Sequence, residues 1–149
     1  MTTKRCDRGG FTFIELVMVI VILGILASVA IPKIGSMIES SKRAATRNEM
    51  QMLKRAIVGN PQVTAGGRYT DLGYEGDVGH LPCSLQHLGR KPTADATYDK
   101  FTRRGWNGPY VDTSGGEYLK NAWAANYAYD STARTITSTG GDSTLVVTF

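Results

Sequence analysis

Few residues of this chain combine the types and spacing that chemistry requires. His80, Cys83 and His87 fall within eight residues, a spacing that zinc ligands also show. They supply only three donors, no Cys-x-x-Cys pair accompanies them, and Pro82 interrupts any helix that would align them. We read them as two surface histidines and a half-buried thiol. No serine, cysteine or lysine stands in a recognisable nucleophile motif, and no glycine-rich loop follows a strand to open a helix. The chain is therefore expected not to be an enzyme. The run Lys100-Phe101-Thr102-Arg103-Arg104-Gly105-Trp106 mixes cations with aromatic rings, as binders of single-stranded nucleic acid do. Formal net charge is only +4, however, and Lys4, Arg5 and Arg8 against Asp7 supply +2 of it. So weak a balance does not argue for nucleic acid as a partner. Trp106, Tyr110, Trp123 and Tyr127 read as the aromatic core and rim of a small domain. One titratable group is out of place. Glu15 stands one turn inside an apolar run, where an acidic residue costs roughly 2.5–3.5 kcal/mol at mid-membrane and less near the edge.

That run dominates the sequence. Residues 11–31 read FTFIELVMVIVILGILASVAI; as a helix they span about 31 Å, against a hydrocarbon core of about 30 Å. Residues 16–31 carry no charge. An ordinary signal peptide cut near Ser28-Val29-Ala30 is the plain alternative. Against it, the apolar stretch is long, Glu15 sits inside it, and a helical pattern continues past the supposed cut. Ile34, Met37, Ile38, Ala45, Met52, Leu53 and Ile57 recur as one face of a helix would. One helix is expected over residues 11–58, with an apolar first half, a kink at Pro32 where an N–H is lost, and an amphipathic second half.

The step Gly9-Gly10-Phe11-Thr12-Phe13-Ile14-Glu15-Leu16 resembles the processing site of type IV pilins and type II secretion pseudopilins. The resemblance implies a basic leader over residues 1–10, cut by a prepilin peptidase between Gly10 and Phe11, with Phe11 then N-methylated. It assigns Glu15 and Pro32 to filament assembly: Glu15 would face the new α-amino group of a neighbouring subunit, and Pro32 matches the family's bending proline. With Cys6 in the leader, Cys83 is the one cysteine of the mature chain, so no internal disulfide is expected. Basic residues flank the span on both sides, and the positive-inside rule is nearly balanced. The family resemblance alone puts the N-terminus in the cytoplasm and the head in the periplasm.

After residue 58 the composition turns to Gly, Pro, Asp and Tyr, with turn signals at Asn60-Pro61, Gly66-Gly67 and Gly115-Gly116. Residues 59–80 match no pattern. Residues 81–88 predict a short helix with Leu81, Leu85 and Leu88 on one side. Residues 126–129, 134–139 and 144–149 predict three strands, joined at Asp130-Ser131-Thr132 and Gly140-Gly141-Asp142. The fold class is α+β: the long N-terminal helix packed on a small three-stranded antiparallel sheet, with a globular head over residues 59–149.

The segment from Leu81-Pro82 through Gly105-Trp106-Asn107-Gly108-Pro109-Tyr110 to Lys120-Asn121-Ala122-Trp123-Ala124-Ala125-Asn126-Tyr127 is similar to the major pseudopilin of type II secretion, whose pattern is Gly-Pro-Tyr and then Lys-Asp-Pro-Trp-Gly-x-Pro-Tyr. Here Asn121-Ala122 replaces Asp-Pro and Ala124 replaces Gly. In that family a C-terminal loop binds calcium. Asp142 matches its first acidic residue, but the later ones are absent and one carboxylate is a poor calcium set. No other cofactor is expected. The function implied is that of a structural filament subunit, most like a type II secretion pseudopilin driving export across the outer membrane. The alternatives are a type IV pilin in adhesion, motility or DNA uptake, and a single-span anchored binding domain that does not polymerise. The partners implied are identical and sister subunits, the prepilin peptidase, an inner-membrane assembly platform, and inner-membrane lipid before assembly.

Overall fold

The structure, a computed structural model, describes residues 10–149, without the side chains of residues 30–32. All of the expected leader except Gly10 lies outside the described residues. Elements run in the order α1 (Phe13–Val58), β1 (Thr64–Ala65), β2 (Arg68–Tyr69), α2 (Gly73–Val78), α3 (Gln86–Gly89), a 3-10 segment (Ser114–Leu119), β3 (Ala128–Asp130), β4 (Thr135–Ser138) and β5 (Leu145–Thr148). Two compact units share the chain, Met1–Ser40 and Ser41–Phe149, and α1 contributes to both. The helix continues through Pro32 without a break.

In the second unit, α1 buries a stripe made of Thr46, Met50, Leu53 and Ile57, with Ala56 beside it. These are steps of four, three and four, one side of a 3.6-residue helix. This corrects the face read from the sequence: Leu53 and Ile57 belong to it, but Ala45 and Met52 point outward, and Met52 is 62% exposed. Ile34, Met37 and Ile38 are exposed as well. The misphasing has a physical cause. Thr46 is polar yet wholly buried, because its hydroxyl accepts a hydrogen bond from the Ala122 N–H at 3.2 Å. A reading by hydropathy steps over such a residue.

The expected three-stranded sheet is present as an antiparallel meander, β3-β4-β5, with Tyr129 opposite Ile136 and Ile136 opposite Val147. Along β4 burial alternates with the pleat: Ile136 and Ser138 are buried, Thr135 and Thr137 only partly. Ile136, Val147 and Tyr127 meet Met50, Leu53 and Ile57 in one core. Polar ties fix the helix against the sheet. Tyr127 donates its hydroxyl to Glu49 at 2.6 Å, and Lys54 Nζ donates to the Thr148 carbonyl at 2.8 Å.

Asn121 holds the aromatic loop to the sheet. Its Oδ1 accepts from the N–H groups of Trp123 and Ala125, both at 2.9 Å. Its Nδ2 donates to Ser138 Oγ and to the Thr139 carbonyl, both at 2.8 Å. At 5% exposure this amide is buried and fully used. The half-buried Trp123 covers Gly140, where a Cβ would come within 2.6 Å of the indole. Trp123 thus lies over the β4–β5 turn and not in the core, unlike Tyr127.

The long middle segment is built from short elements. The helix predicted over residues 81–88 reduces to α3; Leu85 and Leu88 are buried as expected, but buried Pro82 precedes them in non-helical chain. The helix α2 was not legible in the sequence, since Gly73 and Gly76 weaken any helical signal. It is placed by a close backbone crossing: Gly59 (φ 82) and Gly73 (φ 63) lie back to back, and a Cβ on Gly73 would sit 2.3 Å from the Gly59 nitrogen.

Two outcomes follow for the stability of the head. Ala124 adopts φ 59, a left-handed conformation that costs an L-residue about 1–2 kcal/mol. Ala124→Gly should therefore raise stability by roughly 0.5–1 kcal/mol once the entropy of glycine is subtracted, read as a higher urea midpoint for the detergent-solubilised chain. Asn121→Asp keeps the two accepted bonds but loses both donations and buries a charge. We expect it to cost at least about 2 kcal/mol in the same measurement.

Candidate functional site

Gly10 is open on all sides, with no atom within 4 Å of where a Cβ would stand. Phe11 and Phe13 are 88% and 82% exposed. The helix then starts with a reciprocal cap. Thr12 donates from its backbone N–H and from its hydroxyl to Glu15 Oε2, both at 2.8 Å, and the Glu15 N–H donates back to Thr12 Oγ1 at 3.3 Å. This is a capping box, Thr-x-x-Glu, which satisfies helix N–H groups that have no intrahelical partner. The sequence reading gave Glu15 only an intermolecular role, although the Thr12-x-x-Glu15 signature was there to be seen. The carboxylate also faces the positive end of the helix macrodipole. Both accepted bonds end on Oε2, so Oε1 remains for another donor.

Beyond the cap, Met18, Val19, Ile20, Val21 and Ile22 each expose half or more of their surface. Five successive helical residues point in every direction around the axis, so no single face is apolar. The helix is long and apolar enough to cross a membrane.

The residues weighed as ligands in the head are differently engaged. His80 Nε2 lies 3.3 Å from Asp95 Oδ1, and the Tyr74 hydroxyl donates to the same buried carboxylate. His87 is half-buried, and its backbone carbonyl accepts from Trp106 Nε1 at 3.0 Å. Cys83 is exposed, not half-buried as expected. Among the described residues no group of three or more His, Cys, Asp or Glu side chains could hold a metal ion. Asp142 is exposed in the β4–β5 turn, and one such carboxylate does not fit the six to eight oxygens that calcium takes.

The aromatic residues Trp106 and Tyr110 pack edge to face, with centroids 5.9 Å apart, and both border the core. The Tyr110 hydroxyl donates to Asp77 at 3.0 Å and accepts from the Asn107 N–H at 2.9 Å. Burial pushes both groups up; the Tyr110 bond works against this for the Asp77 carboxyl, whereas for the Tyr110 phenol the Asn107 N–H works against it and the Asp77 bond adds to it. With Trp106 committed to this packing, the basic–aromatic run keeps only Phe101 as an exposed ring.

Residues 5–31 match the prokaryotic N-terminal methylation motif. The type II secretion system core protein G of Pseudomonas aeruginosa is 33% identical over 54 residues, which cover 36% of this chain and 38% of that protein. The match therefore spans well under half of the relative's length. No solved structure matches. A prepilin-type motif at the head of an apolar helix, the α+β architecture behind it, and the likeness to a secretion core protein make the chain similar to the type IV pilins and pseudopilins.

Proposed function

We propose that this chain is a structural subunit of a type II secretion pseudopilus, whose growth drives protein export across the outer membrane. The observation that carries the reading is an apolar helix exposed on all sides, opened by a prepilin-type motif with a carboxylate in its first turn. The likeness to the core protein G favours secretion over adhesion or motility. In this reading a prepilin peptidase cuts between Gly10 and Phe11 and methylates the new terminus. The inner-membrane assembly platform then moves the helix out of inner-membrane lipid into contact with identical and sister subunits, the head standing in the periplasm.

Glu15 does two things in this scheme. Oε2 keeps the helix capped, while Oε1 receives the positive amine of a neighbouring Phe11. Two charges in an apolar surround cost several kcal/mol each unless they meet, so the pair contributes register more than cohesion. Pro32 removes one helical hydrogen bond beyond the membrane segment, which lets the rod adjust to its neighbours.

Intact-mass measurement of the membrane-extracted chain should show loss of residues 1–10 and gain of one methyl group; an uncut chain would exclude assembly and leave an anchored binding domain. Deleting the gene should abolish secretion of folded enzymes while sparing surface motility, and the reverse result would make the chain a type IV pilin. Glu15→Gln keeps the cap's hydrogen bonds and removes only the charge. We expect normal processing with filament yield reduced roughly tenfold or more, and unimpaired filaments from this variant would refute the pairing role.

A further inference from the structure

Residues 99–104 form a tight, self-bonded tip. The Asp99 N–H donates to the Arg104 carbonyl at 2.9 Å, and the Arg103 N–H donates to the Asp99 carbonyl at 2.7 Å. The Asp99 carboxylate accepts from the Phe101 N–H at 2.9 Å and from Thr102 Oγ1 at 3.0 Å. At the apex Phe101 is 98% exposed, more than any other large apolar side chain among the described residues. Lys100, Arg103 and Arg104 are exposed beside it. A single exposed ring is ordinary. A ring held by four hydrogen bonds at the apex of a cationic turn is a preorganised knob.

The same unit carries a complementary hollow. A groove of about 330 Å³ is walled by Met52, Leu53, Tyr110 and Tyr118 and rimmed by Glu49, Asp112 and Glu117. Met52 is 62% exposed there, an apolar floor with nothing over it. Asp112 and Glu117 are exposed, and Glu49 is already turned toward Tyr127. The hollow admits a phenyl ring, and three carboxylates stand where three cations would arrive.

We propose that the Phe101 tip of one subunit seats in the Met52 groove of a second copy of this chain. The argument is complementarity in both shape and charge: an apolar knob with Lys100, Arg103 and Arg104 around it against an apolar floor with three acids around it. Knob and groove are different patches, so the contact is heterologous and propagates head to tail instead of closing a dimer. That is the symmetry a filament needs, and this inference rests on the filament reading. A contact this small is weak alone; it gains strength because the helices already hold the heads at high local concentration.

The test is disulfide trapping in assembled filaments of the processed chain. Phe101→Cys and Met52→Cys are combined with Cys83→Ser, cleavage having removed Cys6. Mild oxidation should give a ladder of dimers, trimers and longer species on a non-reducing gel, collapsing to monomer with reductant. Phe101→Cys alone, with no cysteine facing it across the contact, should stay monomeric. In parallel, reversing the tip charges (Lys100→Glu, Arg103→Glu, Arg104→Glu) should lower filament yield roughly tenfold, and adding Asp112→Lys with Glu117→Lys should restore it. Filaments that carry both cysteines yet stay monomeric on the gel, or a yield that the second reversal fails to restore, overturn this contact and leave the pseudopilin reading standing. A wild-type chain that forms no filaments overturns both.

Discussion

An apolar helix surface that its own chain leaves uncovered is the constraint on which the rest depends. Each large aliphatic side chain is worth roughly 1.5–3 kcal/mol when removed from water. The five residues from Met18 to Ile22, all half or more exposed, therefore represent on the order of 10 kcal/mol, about the whole stability of an ordinary domain. Water is excluded as their surroundings. Lipid and other apolar helices are both acceptable, and because lipid tails are as apolar as leucine, the exchange of one for the other is nearly neutral in the hydrophobic term. A segment of this kind can leave a membrane only if something else decides the direction. In the proposed filament that role falls to polar and head contacts, each small beside the apolar total.

The head must then hold its shape without a disulfide, and it does so by spending polar groups on long-range ties. Asn121 joins the aromatic loop to the end of β4, Thr46 joins α1 to the same loop, and Lys54 joins α1 to β5. Arg134 adds a bidentate pair with Glu75 at 2.8 and 3.0 Å, donates to the Phe149 carbonyl, and lies over the Phe149 ring at 5.5 Å. One guanidinium thereby links α2, the β3–β4 turn and the last residue of the chain, a geometry that lysine lacks. Burial pushes the Tyr129 phenol, whose ring stacks on that of Phe149 at 5.9 Å, up to about 12.

What the sequence made legible was what local pattern and chemistry determine. The long helix announces itself by continuous hydropathy, the three strands by alternation and β-branched content, and the N-terminal methylation motif by residues that each have a reason. What stayed hidden depended on distant partners. Thr46 reads as surface until the Ala122 N–H is placed against it, and α2 reads as loop until Gly73 is seen against Gly59. The pseudopilin pattern did flag position 124, where glycine is replaced by alanine; the left-handed φ there supplies the physical reason for the pattern. The capping box was a different failure. Its two residues are local and of the right types, but the prepilin-type motif offers a competing reason for an acidic residue at position 15.

In the proposed filament, Glu15 would also decide how register is chosen. Sliding one apolar rod along another changes packing little, so apolar contacts alone discriminate weakly between offsets. A buried amine without a carboxylate, by contrast, costs several kcal/mol, and only one offset of a neighbour brings it to Glu15. Had the carboxylate been free in the single chain, pairing would also carry the loss of its side-chain rotamers. Bonded through Oε2 to Thr12, it is already oriented at the helix start, and an incoming amine need not break the cap to reach Oε1. In that proposed filament, the device that stabilises one helix in isolation therefore preorganises the charge that would align it with the next.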